Sequence, residues 1–132
     1  MPPVLTRASG VVPVPATVTS RSVGEVMVLR CAGDLDLAAV EPVTAAVMRA
    51  LETRPVGLVL DLSGVAFCDT VGLRLLMSAA SRARLQGCAA TLAAVQPQVA
   101  EFLARVCVDR TLTAYADVSA AIEGLMFSAT WR

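Results

Sequence analysis

The sequence predicts a single α/β domain with a small mixed sheet, mostly parallel, an antiparallel hairpin at one edge and about four helices. Three observations lead to this fold class. The chain has 132 residues, enough for one domain with a sizeable core. Its first two strand-like runs are joined by a tight turn, and a helical pattern and three strand–helix units follow. Such alternation is typical of parallel strands connected by helices that pack on the sheet.

The edge hairpin is predicted from the first two apolar runs. Residues Ala16 to Ser22 alternate loosely, and Val26 to Ala32 form a stronger strand-like run. Between them, Val23-Gly24-Glu25 is typical of a tight turn. Together the two runs predict an antiparallel pair of strands.

The first helix is predicted to begin near Leu37 or Ala38 and to end at about Glu52. Asp36 can cap its first turn, and Arg54-Pro55 ends it, because a residue before proline avoids the helical conformation. Its inward residues recur at helical spacing and are Val40, Val43, Val47 and Leu51.

The central strand, Val56 to Leu62, is an apolar, β-branched run that suits burial on both faces. We expect a turn from Asp61 to Gly64, in which the Asp61 carboxylate accepts backbone hydrogen bonds. A second helix is predicted from Thr70 to about Gln86, directly after Asp69. Its expected buried stripe is Leu73, Leu76, Met77 and Ala80, and its outward residues are Arg74, Ser78, Ser81, Arg82 and Arg84.

Two further strand–helix units complete the prediction. The strands are Cys88 to Ala94 and, after a turn at Asp109-Arg110, Thr111 to Tyr115. One helix begins at Gln96-Pro97 and the other is capped by Asp117. Their expected inward residues are Val99, Phe102, Leu103 and Val106 in the first and Val118, Ala121, Ile122 and Leu125 in the second. Residues 1–16 are predicted to be a flexible leader, 17–127 the folded domain and 128–132 a C-terminal tail.

Composition argues against several classes of function. Eleven basic and eleven acidic residues cancel, which argues against a nucleic-acid-binding protein. No stretch approaches the roughly 18 uninterrupted apolar residues that a membrane-spanning helix needs, so no membrane association is expected. Pro13 and Pro15 interrupt the apolar run that a signal peptide would require, so we expect a cytoplasmic protein.

Neither a metal, a cofactor nor catalysis is expected. The chain has no histidine and no Cys-x-x-Cys pair, which argues against a zinc site. It also has no glycine-rich phosphate loop and no base beside a nucleophile, so the sequence predicts no enzyme. The carboxylate of Asp69 disfavours the thiolate of Cys68. The remaining cysteines, Cys31, Cys88 and Cys107, are predicted to be buried thiols.

The candidate functional residues lie where strands give way to helices. Asp36 follows the second strand, and Asp69 and Thr70 come directly before and at the start of the second helix. Because parallel strands end at the same edge of a sheet, these residues should share one end of the domain. On spacing alone Thr70 has an ordinary explanation, since either Asp69 or Thr70 can cap the helix.

Three motif blocks here resemble the signature of STAS domains, and most closely that of bacterial anti-sigma factor antagonists. They are Gly33-Asp34-Leu35-Asp36, Asp61-Leu62-Ser63-Gly64-Val65 and Phe67-Cys68-Asp69-Thr70-Val71-Gly72-Leu73. The blocks occur in order with matching spacing, and the resemblance covers about Thr17 to Met126. It implies a STAS-like fold, in agreement with the pattern of strands and helices.

The resemblance also implies a partner switch. In that family the unmodified antagonist binds an anti-sigma factor, a serine kinase of the histidine-kinase-like ATPase fold, and so frees the sigma factor. The kinase phosphorylates the hydroxyl residue after the signature aspartate, which separates the complex, and a PP2C-type phosphatase reverses this. Carried onto this chain, the phosphorylation site is Thr70. The implied partner-binding residues are Asp36, Asp69, Thr70, Val71, Gly72 and Leu73.

Two departures from the family pattern keep an alternative open. The acceptor is most often serine and here is Thr70, and the next position, often a hydroxyl residue, is Val71. The alternative is a STAS scaffold subunit of a stress-signalling or lipid-transport complex that needs no modification. The sequence is also compatible with a weak homodimer.

Overall fold

The structure is a computed structural model that describes residues 12–106 and 112–130, with side chains as far as Phe127. Five strands and four helices alternate along the chain, and a short 3₁₀ helix at Leu37–Ala39 precedes the first α-helix. The strands are β1 (Thr17–Val23), β2 (Val26–Leu35), β3 (Gly57–Cys68), β4 (Ala89–Ala93) and β5 (Thr113–Tyr115). The helices are α1 (Val40–Glu52), α2 (Thr70–Leu85), α3 (Pro97–Arg105) and α4 (Val118–Thr130).

The sheet confirms the predicted fold class. Its strands lie in the order β1-β2-β3-β4-β5, the same order as in the sequence. The β1–β2 pair is antiparallel, and the other three pairs are parallel. Right-handed crossovers between successive parallel strands place their connecting helices on one face of the sheet.

The core is divided by the sheet into two clusters. On one face, leucines of β2, β3 and β4 such as Leu29, Leu60 and Leu92 pack with residues of α1, α2 and α3. On the other face, Val28 and Val59 belong to a smaller cluster with residues of α4. The alternation of leucine and valine along β2 and β3 therefore corresponds to two differently covered faces of the sheet.

The predicted turn from Asp61 to Gly64 is wrong, because β3 continues through it to Cys68. The Asp61 carboxylate does accept a hydrogen bond from the Ser63 N–H, at 2.9 Å, as expected of a turn. Here the bond lies in a bulge, since β3 twice advances three residues while β2 advances two. The paired positions are Arg30–Asp61, Ala32–Gly64 and Asp34–Phe67. β2 likewise extends past its predicted end, to Leu35.

The second half of β3 extends beyond the end of its neighbour β4, and the pairing of the two strands stops at Asp61 and Ala93. There, side-chain amides from the start of α3 bond the β3 carbonyls. Gln96 Nε2 donates to the Ser63 oxygen at 2.8 Å, and Gln98 Nε2 donates to the Ala66 oxygen at 3.4 Å. These two glutamines supply donors that a longer β4 would otherwise provide, and they support the part of β3 that leads to α2.

Part of the predicted leader lies against the end of β2. The Val14 N–H donates to Asp34 Oδ2 at 3.0 Å, and the Asp34 N–H donates to the Val14 carbonyl at 2.9 Å. Gly33 has a φ of +98°, and a Cβ there would lie 2.3 Å from the Pro15 oxygen. Only glycine therefore allows this approach. Residues 1–11 lie outside the described residues, and the domain bounds stay a prediction.

Other expectations differ in detail or fall outside the described ranges. Met77 is 42% exposed and does not belong to the buried stripe of α2, because it lies at the edge of that stripe. The last helix continues to Thr130, beyond the predicted start of the tail, and Trp131 and Arg132 are not described. Cys107, the Asp109-Arg110 turn and Thr111 also lie outside the described residues.

Candidate functional site

Asp69 is the N-cap of α2, which leaves Thr70 free of that role. Asp69 has an extended backbone, and its Oδ1 accepts a hydrogen bond from the Gly72 N–H at 3.0 Å. Thr70 is the first residue of the helix, and its side chain is exposed. Among the described residues, the Thr70 hydroxyl has no hydrogen-bond partner. The hydroxyl that sequence analysis singled out therefore faces solvent without holding the helix in place.

Asp36 occupies the corresponding position at the end of β2. Its Oδ1 accepts a hydrogen bond from the Ala38 N–H at 3.1 Å, so it caps the short 3₁₀ helix. The next residue, Leu37, is 74% exposed. The capping role of Asp36 was predicted, but the exposed leucine beside it was not.

A close contact joins the end of β2 to the start of α2. The Asp69 N–H donates to the Leu35 carbonyl at 3.2 Å. A Cβ on Gly72 would lie 2.1 Å from that same oxygen and 2.9 Å from Cys68 Sγ. Gly72 therefore has no room for a side chain. This contact holds Asp36, which follows Leu35, at the same end of the domain as Asp69 and Thr70.

The predicted partner-binding residues divide into exposed and buried ones. Thr70 is exposed, and Asp36, Asp69 and Val71 are half-buried. Gly72 and Leu73 are buried, so we assign them a role in positioning the start of α2. Three exposed residues extend this surface beyond the predicted set, and they are Leu37, Arg74 and Met77. Arg74 and Met77 follow Thr70 at the spacing of one helix face, a signal that the sequence did contain.

Cys68 lies beneath the site as a neutral thiol. Burial, with a smaller contribution from the negative charge of Asp69, raises the pKa of Cys68 from 9.0 to about 12. Burial, with a smaller contribution from the Asp61 charge, raises the pKa of Cys31 to about 11. Burial also raises the pKa of Cys88. The prediction of buried thiols at Cys31 and Cys88 is confirmed, and a thiol this hard to ionise is a poor nucleophile.

Within residues 12–106 and 112–130, no group of three or more His, Cys, Asp or Glu side chains is placed to hold a metal ion. Of the helices that the structure describes, none combines the length and apolar character needed to cross a membrane.

Residues 17–121, most of the chain, match the family model described as the STAS domain. The chain belongs to the STAS domain family. No curated protein matches the sequence significantly. The match confirms the family that the three motif blocks had indicated.

Solved structures share this fold at low sequence identity. An anti-sigma factor antagonist from Mycobacterium paratuberculosis is 22% identical, with a TM-score of 0.76 over 84% of this chain and 94% of that one. The anti-sigma factor antagonist SpoIIAA in its unphosphorylated form is 19% identical, with a TM-score of 0.70 over 83% and 96%. The murine anion transporter Solute Carrier 26 family member A9 is 14% identical, with a TM-score of 0.67 over 86% of this chain and 22% of the transporter.

We expect Asp69→Ala to lower the free energy of unfolding by about 1 kcal/mol, because it removes the N-cap of α2. Thr70→Ala should change it by less than about 0.5 kcal/mol, since the hydroxyl is exposed and unbonded. Urea unfolding of both variants measures this difference. Equal losses in the two variants would contradict the assignment of the cap to Asp69.

Gly72→Ala should lower the free energy of unfolding by about 2–4 kcal/mol, because the methyl group of the alanine would collide with the Leu35 carbonyl. This is a large loss for the addition of one methyl group. The control is Ser78→Ala, an exposed position of the same helix, which should stay within about 0.5 kcal/mol of wild type. Thermal unfolding of the two variants is the measurement. A Gly72→Ala protein as stable as the control would show that α2 tolerates a looser approach.

The free energy of unfolding should fall as the pH rises through the ordinary thiol pKa of 9.0. Folded Cys31 and Cys68 stay protonated where the unfolded chain loses its thiol protons, so their contribution is complete below the ordinary pKa and is lost towards the raised values. Between about pH 7.5 and 9.5 we expect a loss of about 1 kcal/mol per thiol in urea unfolding. The double variant Cys31→Ala, Cys68→Ala should lose less over the same interval. The same loss in both proteins would rule out the thiols as its cause.

Proposed function

We propose that this STAS domain is an anti-sigma factor antagonist whose binding is switched off by phosphorylation at Thr70. The observation that carries the proposal is the exposed, unbonded Thr70 hydroxyl at the first position of α2, with the capping role taken by Asp69. A kinase can reach such a hydroxyl without opening the fold. The site is acted upon, and the domain itself has no catalytic role.

In this proposal the partner of the unphosphorylated form is an anti-sigma factor kinase with the histidine-kinase-like ATPase fold. Binding to it releases the sigma factor, and a PP2C-type phosphatase restores the free hydroxyl after phosphorylation. The protein acts in the cytoplasm. Two solved structures with this fold are named anti-sigma factor antagonists, and one of them, SpoIIAA, is described as its unphosphorylated form. That wording agrees with the proposed cycle.

The charge of a phosphate explains the proposed switch. A phosphate adds about −1.5 to −2 charges at pH 7. At the start of α2 the helix dipole tolerates this charge, so the domain should stay folded. The partner would instead have to desolvate the phosphate beside the Asp69 carboxylate. Val71 follows Thr70, and the exposed Leu37 follows Asp36. The surface that the partner would contact therefore combines apolar side chains with a site that phosphorylation makes strongly anionic.

A scaffold that is never switched is the second candidate. The likeness to part of a murine anion transporter supports it, since the same fold is present in a protein named for transport. Antagonists most often have serine where this chain has Thr70, and this difference is also compatible with a scaffold that is never switched. A stable homo- or hetero-assembly that forms equally with wild type and a Thr70→Glu variant, measured by light scattering after size exclusion, would favour the scaffold.

We expect Thr70→Glu to weaken binding to the cognate anti-sigma factor kinase by at least about a hundredfold, which is about 2.7 kcal/mol. Thr70→Ala should bind like wild type and resist phosphorylation. The matched control is Ser81→Glu, which places the same charge on the exposed face of α2, roughly 16 Å further along the helix. Calorimetric titration of the kinase with each variant is the measurement.

Two outcomes would contradict the proposed switch. Wild-type affinity in the Thr70→Glu variant would mean that charge at this position does not control binding. An equal loss of affinity in Thr70→Glu and Ser81→Glu would mean that negative charge anywhere on α2 weakens the complex.

A further inference from the structure

A groove of about 450 Å³ lies between the last turns of α1 and α2. It lies at the opposite end of α2 from Thr70, roughly 20 Å away along a helix of 16 residues. The residues that line it include Met48, Glu52, Arg54, Arg82 and Leu85. The proposed switch uses none of them.

Two large apolar side chains are left uncovered in this groove. Met48 of α1 is 50% exposed, and Leu85 of α2 is 88% exposed. Neither belongs to the cores on the two faces of the sheet. Apolar side chains that stand together at the surface and serve no core are typical of a binding surface.

Arg54 is held in the groove at a conformational cost. It follows the C-cap of α1 in the left-handed conformation, with a φ of +53°, a position that glycine usually occupies. The backbone bond made there, from the Arg54 N–H to the Leu51 carbonyl at 3.1 Å, would be equally available to glycine. Among the described residues the Arg54 guanidinium has no salt bridge. Strain that persists in this way points to a function of the side chain.

The rim of the groove is basic. Arg54 and Arg82 line it, and the described lining residues include a single carboxylate, that of Glu52. Arg49 and Arg84 stand in the last turns of the same two helices, where they also complement the helix dipoles. An occupant that matches this rim carries Asp or Glu on either side of an apolar residue.

We propose that this groove docks an acidic amphipathic helix of a partner protein. One apolar side chain of that helix would lie between Met48 and Leu85, and its carboxylates would pair with the guanidinium groups of Arg54 and Arg82. Arginine suits this task, because its planar fork binds a carboxylate in two places.

Charge disfavours two other occupants, and shape disfavours a third. A second copy of this chain docked through the same groove would bring like-charged arginines together. Residues 1–11 contain Arg7 and no acidic residue, so they do not match the basic rim. A membrane surface is flat, whereas the groove is a recess between two helices.

The probe for the test is a synthetic helical peptide with two leucines one turn apart, flanked by glutamates. The full chain carries ¹³C-labelled methionine methyl groups, and NMR follows Met48 in the groove and Met77 outside it. We expect the Met48 signal to shift on titration and the Met77 signal to stay. A peptide with lysines in place of the glutamates should bind at least about tenfold more weakly.

Two variants test the role of the arginines in peptide binding, and a third is the control. Arg54→Gly should be at least as stable as wild type, since it removes the left-handed strain, and yet should bind the peptide several-fold more weakly. Arg82→Gln should weaken binding similarly. Arg21→Gln, an exposed arginine of β1, should leave the affinity unchanged.

The proposal is overturned if millimolar glutamate peptide leaves the Met48 signal unmoved, or if the lysine peptide binds as tightly. It is also overturned if vesicles of phosphatidylglycerol shift Met48 while the peptide does not, which would assign the groove to an anionic membrane. Because the groove is remote from Thr70, a Thr70→Glu variant should bind the peptide normally, so the two proposals fail independently.

Discussion

The site depends on how closely the start of α2 approaches the end of β2. The Leu35 carbonyl accepts the Asp69 N–H and faces the backbone of Gly72, where no side chain would fit. That contact fixes Asp69 so that its carboxylate can cap the helix. With the cap supplied by its neighbour, Thr70 can turn its hydroxyl to solvent. Gly72, a residue with no side chain, therefore helps to determine where the Thr70 hydroxyl lies.

The order of the elements and the place of the site follow from local patterns in the sequence. Alternating strand and helix signals predicted a mostly parallel sheet, and such a sheet brings Asp36 and Asp69 to one end. The path of β3, in contrast, could not be predicted from local sequence patterns. Asp61-Leu62-Ser63-Gly64 has the composition of a turn, and its Asp61–Ser63 hydrogen bond does form. Pairing with β2, which is distant in sequence, makes it a bulged strand instead.

The local sequence pattern also did not predict how exposed the side chains at the edges of the helices are. Met77 lies at the edge of the stripe of α2, and its exposure depends on how far neighbouring elements reach over that helix. Leu37 lies in a short 3₁₀ helix capped by Asp36 and is exposed, and α1 itself begins at Val40, later than the predicted Leu37 or Ala38. The role of Gly72 depends on a contact between two elements, which a glycine in a motif does not by itself specify.

The two proposed surfaces lie at opposite ends of α2 and differ in chemistry. The first surface combines carboxylates with the Thr70 hydroxyl, which is the proposed site of phosphorylation. The second surface combines arginines with exposed apolar side chains. A charge added at one end is screened over roughly 20 Å, about two and a half Debye lengths at physiological salt. The domain could therefore keep one partner while a modification releases the other.

The central claim, that Thr70 is the residue on which the switch acts, is tested most directly by locating the phosphate itself. The protein is incubated with its cognate anti-sigma factor kinase and ATP, and its intact mass and fragment masses are then measured. The account predicts a gain of one phosphate, confined to Thr70 and removed by a PP2C-type phosphatase. A phosphate on any other residue, or no phosphate although the kinase hydrolyses ATP in the same assay, would contradict it.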